Sequence, residues 1–229
     1  MAQLDELLRR SRAAESVADA WRALLAQSAR DMQVVGLGRD FFALYRNAKQ
    51  TFIRTMHGYS RADAELKAAN DARAVAVLRA ALSELAVDSN SADTAFDSWH
   101  RRTCGRLREA WNGPCALTVG QAQKLVNVLL KSILTLPDSE HGLAAARWTR
   151  QLHVPIDNQT RRLLAEIDRS ATRVRRPNEY APNWPATSWS RLADYDREYL
   201  PLQFALRDWA RSEHVSPISV DLVGWRPGE

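Results

Sequence analysis

The sequence predicts an all-α protein. Apolar side chains recur at helical spacing through most of its 229 positions, as they do in amphipathic helices. No stretch alternates polar and apolar residues between turn signals, as the strands of a half-exposed sheet would. The breaks between periodic segments carry glycine, proline or short polar residues, which end helices or cap them. No internal repeat is visible.

The first part of the chain predicts helices separated by short breaks. Their ranges are 4–30, as one or two amphipathic helices, 41–57 and 61–85. A glycine-bearing turn at 33–40 precedes the second range, and Asp40 stands where a helix cap is expected.

The middle of the chain predicts two long helices joined by a tight connector. Aromatic and aliphatic residues within 93–111 share one helical face. Gly113 and Pro114 end that helix, because glycine is preferred just beyond a helix end and proline lacks the backbone N–H. The connector extends over 112–120, and a nearly all-apolar helix then runs to Leu136.

The last third alternates between helix and irregular chain. Helices are predicted over 138–152, 159–169 and 190–213, and the tail at 215–225 is predicted to be β-like or irregular. Prolines forbid regular structure over 173–189, while the arginines and tryptophans of that segment favour contacts with phosphates and bases. The same composition also fits a surface segment without a ligand.

Composition is that of an ordinary soluble globular protein. The chain is 45% hydrophobic and 26% charged, and its length suits one large domain or two small ones with a real core. It shows no basic leader followed by an apolar run and no apolar segment of membrane-spanning length. A cytoplasmic protein with no membrane partner is therefore expected.

Cysteines and net charge narrow the chemistry. Cys104 and Cys115 have neither the number nor the spacing of a disulfide framework or a zinc site, so we expect free thiols and no metal bound by cysteine. A net charge of +5 and an isoelectric point near 9.5 suit a polyanionic partner.

Two ionisable residues stand out in the apolar middle of the chain. Lys124 begins a polar stripe with Asn127 and Lys131 on a helix that is apolar at nearly all other positions. Desolvation at the edge of a core lowers the pKa of a lysine and makes it a nucleophile. Asp157 precedes a helix, where backbone N–H groups and the helix dipole keep a carboxylate ionised. The plainer alternatives are a surface lysine and an aspartate that only caps a helix.

This ordered set resembles the helix-hairpin-helix DNA glycosylase superfamily, the group of endonuclease III and oxoguanine glycosylase. Gly120 stands where that family has its hairpin glycine, Lys124 matches its Schiff-base lysine, and residues 154–157, Val-Pro-Ile-Asp, match its Val-Pro-Val-Asp. Lys124 and Asp157 lie 33 residues apart, similar to the archaeal oxoguanine glycosylase branch. The likeness covers about residues 95–170. The usual Leu-Pro-Gly-Val-Gly hairpin and a four-cysteine iron–sulfur cluster are absent.

The resemblance implies two helical subdomains flanking a DNA-binding cleft that contains the helix-hairpin-helix motif. Residues 1–90 would form an N-terminal helical part that packs with the C-terminal helices, 91–170 the catalytic part, and 171–229 the part that completes the cleft. The implied partner is double-stranded DNA containing a modified base. The implied protein is a monomer that uses no cofactor and no metal.

The resemblance also implies roles for individual residues. Asp157 would stabilise the positive charge on the sugar as the N-glycosidic bond breaks, and Lys124 would attack the same carbon to form an imine that permits strand cleavage. Contacts with DNA are implied for the hairpin and for nearby polar and basic residues: Gly113, Gly120, Gln121, Gln123, Lys131, Arg173, Arg175 and Arg176. Candidates for the pocket of the flipped base are Phe41, Tyr45, Gln50, Asn127, Trp184 and Trp189.

Several functions stay open at this point. The chain also looks like bacterial phage-defence glycosylases that remove bulky bases such as glucosylated hydroxymethylcytosine, and its departures from the family favour such a substrate over housekeeping repair. Oxidised purine is the substrate implied by the archaeal branch. The alternatives from other classes are a non-catalytic helix-hairpin-helix DNA-binding module and an all-α adaptor for protein partners. His153, beside the motif, is expected either to be a packing residue or to support the site residues from behind.

Overall fold

The computed structural model describes residues 2–16, 18–33, 40–56, 58–87, 93–111, 113–136, 148–171 and 188–224. Over these ranges the chain forms nine α-helices and no strand, which confirms the all-α prediction. The helices are α1 (Ala2–Ser16), α2 (Ala18–Asp31), α3 (Phe41–Gln50), α4 (Ala64–Val87), α5 (Asp93–Ala110), α6 (Val119–Leu134), α7 (Asn158–Ala171), α8 (Leu200–Ser212) and α9 (Pro217–Gly224). None of these helices is long and apolar enough to cross a membrane.

Helix α6 lies at the centre of the fold because its sequence is apolar nearly all round. All of its residues are buried, and it packs against α3, α5 and the short turns at Trp189–Arg191 and Tyr195–Tyr199. Its first turn is closed by a capping box. The Thr118 hydroxyl accepts from the N–H of Gln121, and the Gln121 side chain accepts from the N–H of Thr118.

The ends of α3 show how local polar groups set helix boundaries. The predicted cap Asp40 is confirmed, since its carboxylate accepts from the N–H groups of Phe42 and Ala43. The helix ends at Gln50, earlier than the predicted residue 57. The Thr51 hydroxyl donates to the Ala48 carbonyl there, which offers that backbone oxygen an alternative to the helical ladder.

The prediction of a β-like or irregular tail is wrong, because Pro217–Gly224 forms α9. Its β-branched residues favour a strand locally, but tertiary packing decides the outcome. Helix α9 contacts α1, α2 and α8, and Val220 joins a small apolar cluster whose buried members are Leu4, Leu8, Ala210, Val215 and Val220. Proline suits the first turn of a helix, where its missing N–H is not needed.

The main hydrophobic core draws side chains from α2 through to α9. It surrounds α6 and includes Leu152, Val154 and Ile156 of the segment 152–156, which connects to the start of α7. Most of the predicted helix at 138–152 lies outside the described residues, and positions 148–151 form a turn. The core therefore provides a fixed frame for the start of α6 and the start of α7, which carry Lys124 and Asp157.

Candidate active site

The structure brings Lys124 and Asp157 together, although they lie 33 residues apart in the chain. The Lys124 ammonium donates to Oδ2 of Asp157 and forms an ion pair with it. Lys124 projects from the second turn of α6, and Asp157 stands immediately before α7. The side chains are 9% and 23% exposed, so the pair lies at the edge of the core with the carboxylate closer to solvent.

Asp157 caps α7 with the oxygen that Lys124 does not use. Its Oδ1 accepts from the backbone N–H groups of Gln159 at 2.9 Å and Thr160 at 3.0 Å. Burial alone would raise the pKa of Asp157, but the Lys124 ammonium and the two N–H donors outweigh it and lower that pKa below the ordinary aspartate value. The carboxylate is therefore ionised at neutral pH.

An aromatic ring also lies beside Lys124. Its ammonium lies 5.9 Å from the centre of the Trp189 ring, within the range of a cation–π contact. Trp189 belongs to a short turn that covers the start of α6, where the Thr118 hydroxyl donates to the Ser190 carbonyl at 2.7 Å. Glycine is required beneath this turn, because a Cβ at position 120 would overlap the Trp189 carbonyl.

Two glutamine side chains hold the segment that leads to Asp157. Gln123 on α6 binds both backbone groups of Ile156, since its Oε1 accepts from the N–H at 3.2 Å and its Nε2 donates to the carbonyl at 3.0 Å. Gln203 on α8 binds the N–H and carbonyl of Val154 in the same way, at 3.0 and 2.8 Å. The two side-chain amides act as strand partners for an extended segment, which fixes the backbone just before Asp157.

A buried polar network continues from this segment into the core. Asn127 donates to Gln123 at 3.0 Å and to the Tyr199 hydroxyl at 2.9 Å, and that hydroxyl also lies 2.8 Å from Nδ1 of His153. His153 in turn reaches Asp97 at 2.7 Å, and Arg207 donates to both oxygens of Asp97 at 2.8 Å. Burial raises the pKa of Tyr199 well above its usual value. The network supports the site from behind rather than opening onto it.

The backbone amide of Gly120, predicted to bind phosphate, has a partner within the protein. The Gly120 N–H donates to the Leu192 carbonyl at 3.1 Å, so this amide is used within the protein. Gln121 is 4% exposed and its side-chain amide binds the backbone of Thr55. Gly113 is exposed and has a positive φ of 66°, which a connector between two helices uses to reverse direction.

Other predicted DNA and base contacts lie in the interior. Lys131 is 3% exposed and pairs with Asp221 at 2.6 Å. Gln123 is used in holding the backbone of Ile156, and Asn127 belongs to the buried polar network. Phe41 and Tyr45 are core residues, and the Tyr45 hydroxyl donates to Asp71 at 2.6 Å. These buried positions cannot contact a duplex in this conformation.

Of the six remaining predicted residues, the structure describes two. Gln50 is exposed at the end of α3. Trp189 lies beside Lys124 as described, with 7% of its surface exposed. The other four lie outside the described residues: Arg173, Arg175, Arg176 and Trp184.

Sequence reasoning missed Gln203 and the Asp97–Arg207 pair. Polar residues four apart on an otherwise apolar helical face were the available signal, since Gln203 and Arg207 alternate with Leu202 and Leu206. Both cysteines are free, as predicted, and both are buried. Within the described ranges no three His, Cys, Asp or Glu side chains are grouped so that they could hold a metal ion.

Comparison of the chain with protein-family models, curated proteins and solved structures found no match. The function is therefore inferred from the site itself. It contains an ionised carboxylate that accepts from two backbone N–H groups and the Thr160 hydroxyl, an ammonium in contact with it, and a backbone held by glutamine side chains. Such a pair can stabilise positive charge and can exchange a proton between lysine and aspartate.

Proposed function

We propose that this protein is a DNA glycosylase that excises a modified base from duplex DNA and leaves an abasic site. The observation that carries the proposal is the ion pair between Lys124 and Asp157. The two residues that match the family's catalytic lysine and aspartate are in contact, at the starts of two helices. The net positive charge of the chain supports a polyanionic partner.

Asp157 would act on the charge that develops on the sugar. As the bond between C1′ and the base nitrogen breaks, its electron pair leaves with the base, and positive charge grows on C1′ and the ring oxygen. A carboxylate already held by Lys124 and two backbone N–H groups needs no reorganisation to stabilise that charge. Water that adds to C1′, with its proton passing to Asp157, completes hydrolysis.

Lys124 would add a lyase route. Its ammonium must first lose a proton, and the Asp157 carboxylate in contact is the available acceptor. The neutral amine then forms a bond to C1′ while the base departs with the electron pair of the glycosidic bond. Opening of the sugar ring gives an imine, from which the 3′ phosphate can be eliminated.

The substrate we propose first is glucosylated hydroxymethylcytosine of phage DNA, with 8-oxoguanine as the alternative. Three departures from the housekeeping pattern support a divergent substrate. The chain lacks the usual hairpin sequence and the cysteine cluster, and its Gly120 amide is bonded within the protein rather than free at the hairpin. The target base would be flipped out of the stack, at a cost of a few kcal/mol.

The experiment is release of free base, measured by mass spectrometry, from matched duplexes. The duplexes carry glucosylated hydroxymethylcytosine, hydroxymethylcytosine, 8-oxoguanine or no modification. We expect release from one modified duplex by the wild-type protein and none by Asp157→Asn. Lys124→Ala is expected to leave intact abasic sites if hydrolysis is the main route. Absence of release from every duplex would contradict the proposal.

A non-catalytic DNA-binding module is the second candidate, and the capping bonds of Asp157 favour it. An aspartate whose Oδ1 accepts two backbone N–H groups is fully used as a helix cap. This candidate expects salt-sensitive binding of duplex DNA with no base release, and binding that is unchanged in Asp157→Asn.

A further inference from the structure

A second polar site lies where α8 ends and α9 begins, apart from the Lys124–Asp157 pair. A cavity of about 330 Å³ opens there, and its polar lining includes Glu15, Arg150, Gln151, Arg207, Arg211 and His214. Three guanidinium groups and one carboxylate line it. Arg207 pairs with Asp97 and Arg211 with Asp208, so within the described residues Arg150 is the guanidinium group there that no acidic side chain pairs with. A cavity of this character favours an anion.

The negative groups around the cavity are already engaged by the protein. Oε1 of Glu15 accepts from the N–H and the hydroxyl of Ser216, at 2.8 and 2.5 Å. Asp97 takes two bonds from Arg207, whose side chain is 4% exposed. Within the described ranges, by contrast, neither Arg150 nor His214 has a side-chain hydrogen bond or ion pair, and both residues are exposed. Two donors at the cavity therefore have capacity for a ligand.

The backbone at His214 is the second, independent observation. His214 has a φ of 57° and follows the end of α8, where the N–H of His214 donates to Arg211 and the N–H of Val215 donates to Ala210. This is the left-handed ending that proteins normally build with glycine, because a side chain is strained there. The chain keeps an imidazole at that position, and the imidazole lines the cavity.

We propose that this cavity binds a phosphate group. Guanidinium groups match phosphate because their planar N–H forks pair with its oxygens, and His214 adds a further donor. The proposal goes beyond base excision and does not depend on it, since none of these residues contributes to the Lys124–Asp157 pair. The phosphate belongs either to a free phosphate compound or to the backbone of bound DNA.

Titration calorimetry with inorganic phosphate and pyrophosphate tests the site. We expect the wild type to bind, Arg150→Gln to lose about tenfold or more in affinity, and Arg106→Gln, an exposed arginine on α5, to behave as wild type. His214→Gly is the sharpest variant, because it should raise the melting temperature by relieving the left-handed residue while it weakens phosphate binding. A histidine without a ligand role would show the rise in melting temperature alone, with phosphate affinity unchanged.

Duplex DNA separates the two sources of phosphate. If the ligand is a backbone phosphate, unmodified duplex displaces pyrophosphate, and Arg150→Gln lowers the salt dependence of duplex binding by about one ion. If the ligand is a free phosphate compound, duplex binding is the same in wild type and Arg150→Gln. Either result supports the site. The site would be overturned if the wild type bound no phosphate, or if Arg150→Gln and His214→Gly bound phosphate as tightly as the wild type. Asp157→Asn should bind phosphate normally, whatever its activity.

Discussion

Two of the three buried lysine–aspartate pairs among the described residues lie in different surroundings. Lys124–Asp157 has side chains 9% and 23% exposed, and Lys49–Asp71 has side chains 7% and 13% exposed. Asp71 lies within α4 and also accepts from the Tyr45 hydroxyl at 2.6 Å. Asp157 instead precedes a helix and accepts from backbone N–H groups.

The difference lies in how each pair is enclosed. The Lys49 ammonium is 5.7 Å from the Tyr45 ring centre and 5.6 Å from that of Tyr59, and it lies 3.3 Å from the Tyr59 hydroxyl. Aromatic side chains thus close the Lys49 pair from several sides. The carboxylate of the Lys124 pair has the larger exposed surface. A buried ion pair alone is weak support for either stability or function. The Lys124 pair is therefore chosen as the candidate site because its aspartate stands at a helix start and is the more exposed of the two aspartates.

The largest effect that sharpens this comparison is covalent trapping. We expect borohydride to cross-link the wild type to a duplex containing an abasic site, because reduction fixes the imine formed by Lys124. Lys124→Ala should give no cross-link, and Lys49→Ala should retain it if it remains folded. Gel mobility and peptide mapping measure the result. Equal cross-linking by wild type and Lys124→Ala would place the imine on another lysine and break the contrast.

A smaller effect is expected from replacing Gln123 and Gln203, which bind the backbone of the segment before Asp157. Gln123→Ala removes both bonds to Ile156, next to Asp157, and should slow base release by about ten- to a hundredfold through misplacement of the carboxylate. Gln203→Ala removes the matching bonds to Val154. It is the control, because it removes the same kind of bonds from a residue farther from Asp157.

Both glutamine variants should lose about 1–3 kcal/mol of unfolding free energy, because buried backbone groups lose partners. The readout is therefore the single-turnover rate at matched DNA binding, with denaturant unfolding beside it. If the two variants slow release equally, the position of Gln123 next to the ion pair has no special importance.

The smallest effect is the pH dependence of stability at Asp157. Its pKa is lower in the folded state than in the unfolded chain, so the stabilisation is present above the ordinary pKa of about 3.9 and is lost as the pH falls through the folded value. The difference in unfolding free energy between wild type and Asp157→Asn should shrink between about pH 7 and about pH 3. Urea unfolding across that range measures it. A difference that stays constant with pH would show that the ion pair contributes nothing to folding.

Local patterns predicted much of this structure. The all-round apolar sequence of α6 indicated its burial, and Asp40 correctly predicted the start of α3. The approach of Lys124 to Asp157 followed from a family resemblance. The clamp of Gln203 on Val154 joins residues 49 apart in the chain, and the bonds of Arg207 to Asp97 join residues 110 apart. Helical periodicity carries no information about such partners, because it describes only which face of each helix is buried.

Packing also overruled local preference in particular places. Residues of α9 read as strand because valine and isoleucine are common in sheets, yet the contact of α9 with α1 fixes a helix. Tyr45 was predicted to contact the flipped base, and Lys131 was predicted to contact DNA. Each is instead paired with an aspartate from another helix, Asp71 on α4 and Asp221 on α9.

The most direct measurement compares two carboxylate substitutions on the same modified duplex. Asp157→Asn and Asp71→Asn each leave one buried lysine without its charged partner, and both are assayed for single-turnover release of base at saturating protein, with duplex affinity measured in parallel. We expect Asp157→Asn to bind duplex as the wild type does but to slow release by about a hundredfold or more. Asp71→Asn should release base at close to the wild-type rate wherever it is folded. Full release by Asp157→Asn would contradict the assignment of this ion pair as the catalytic centre.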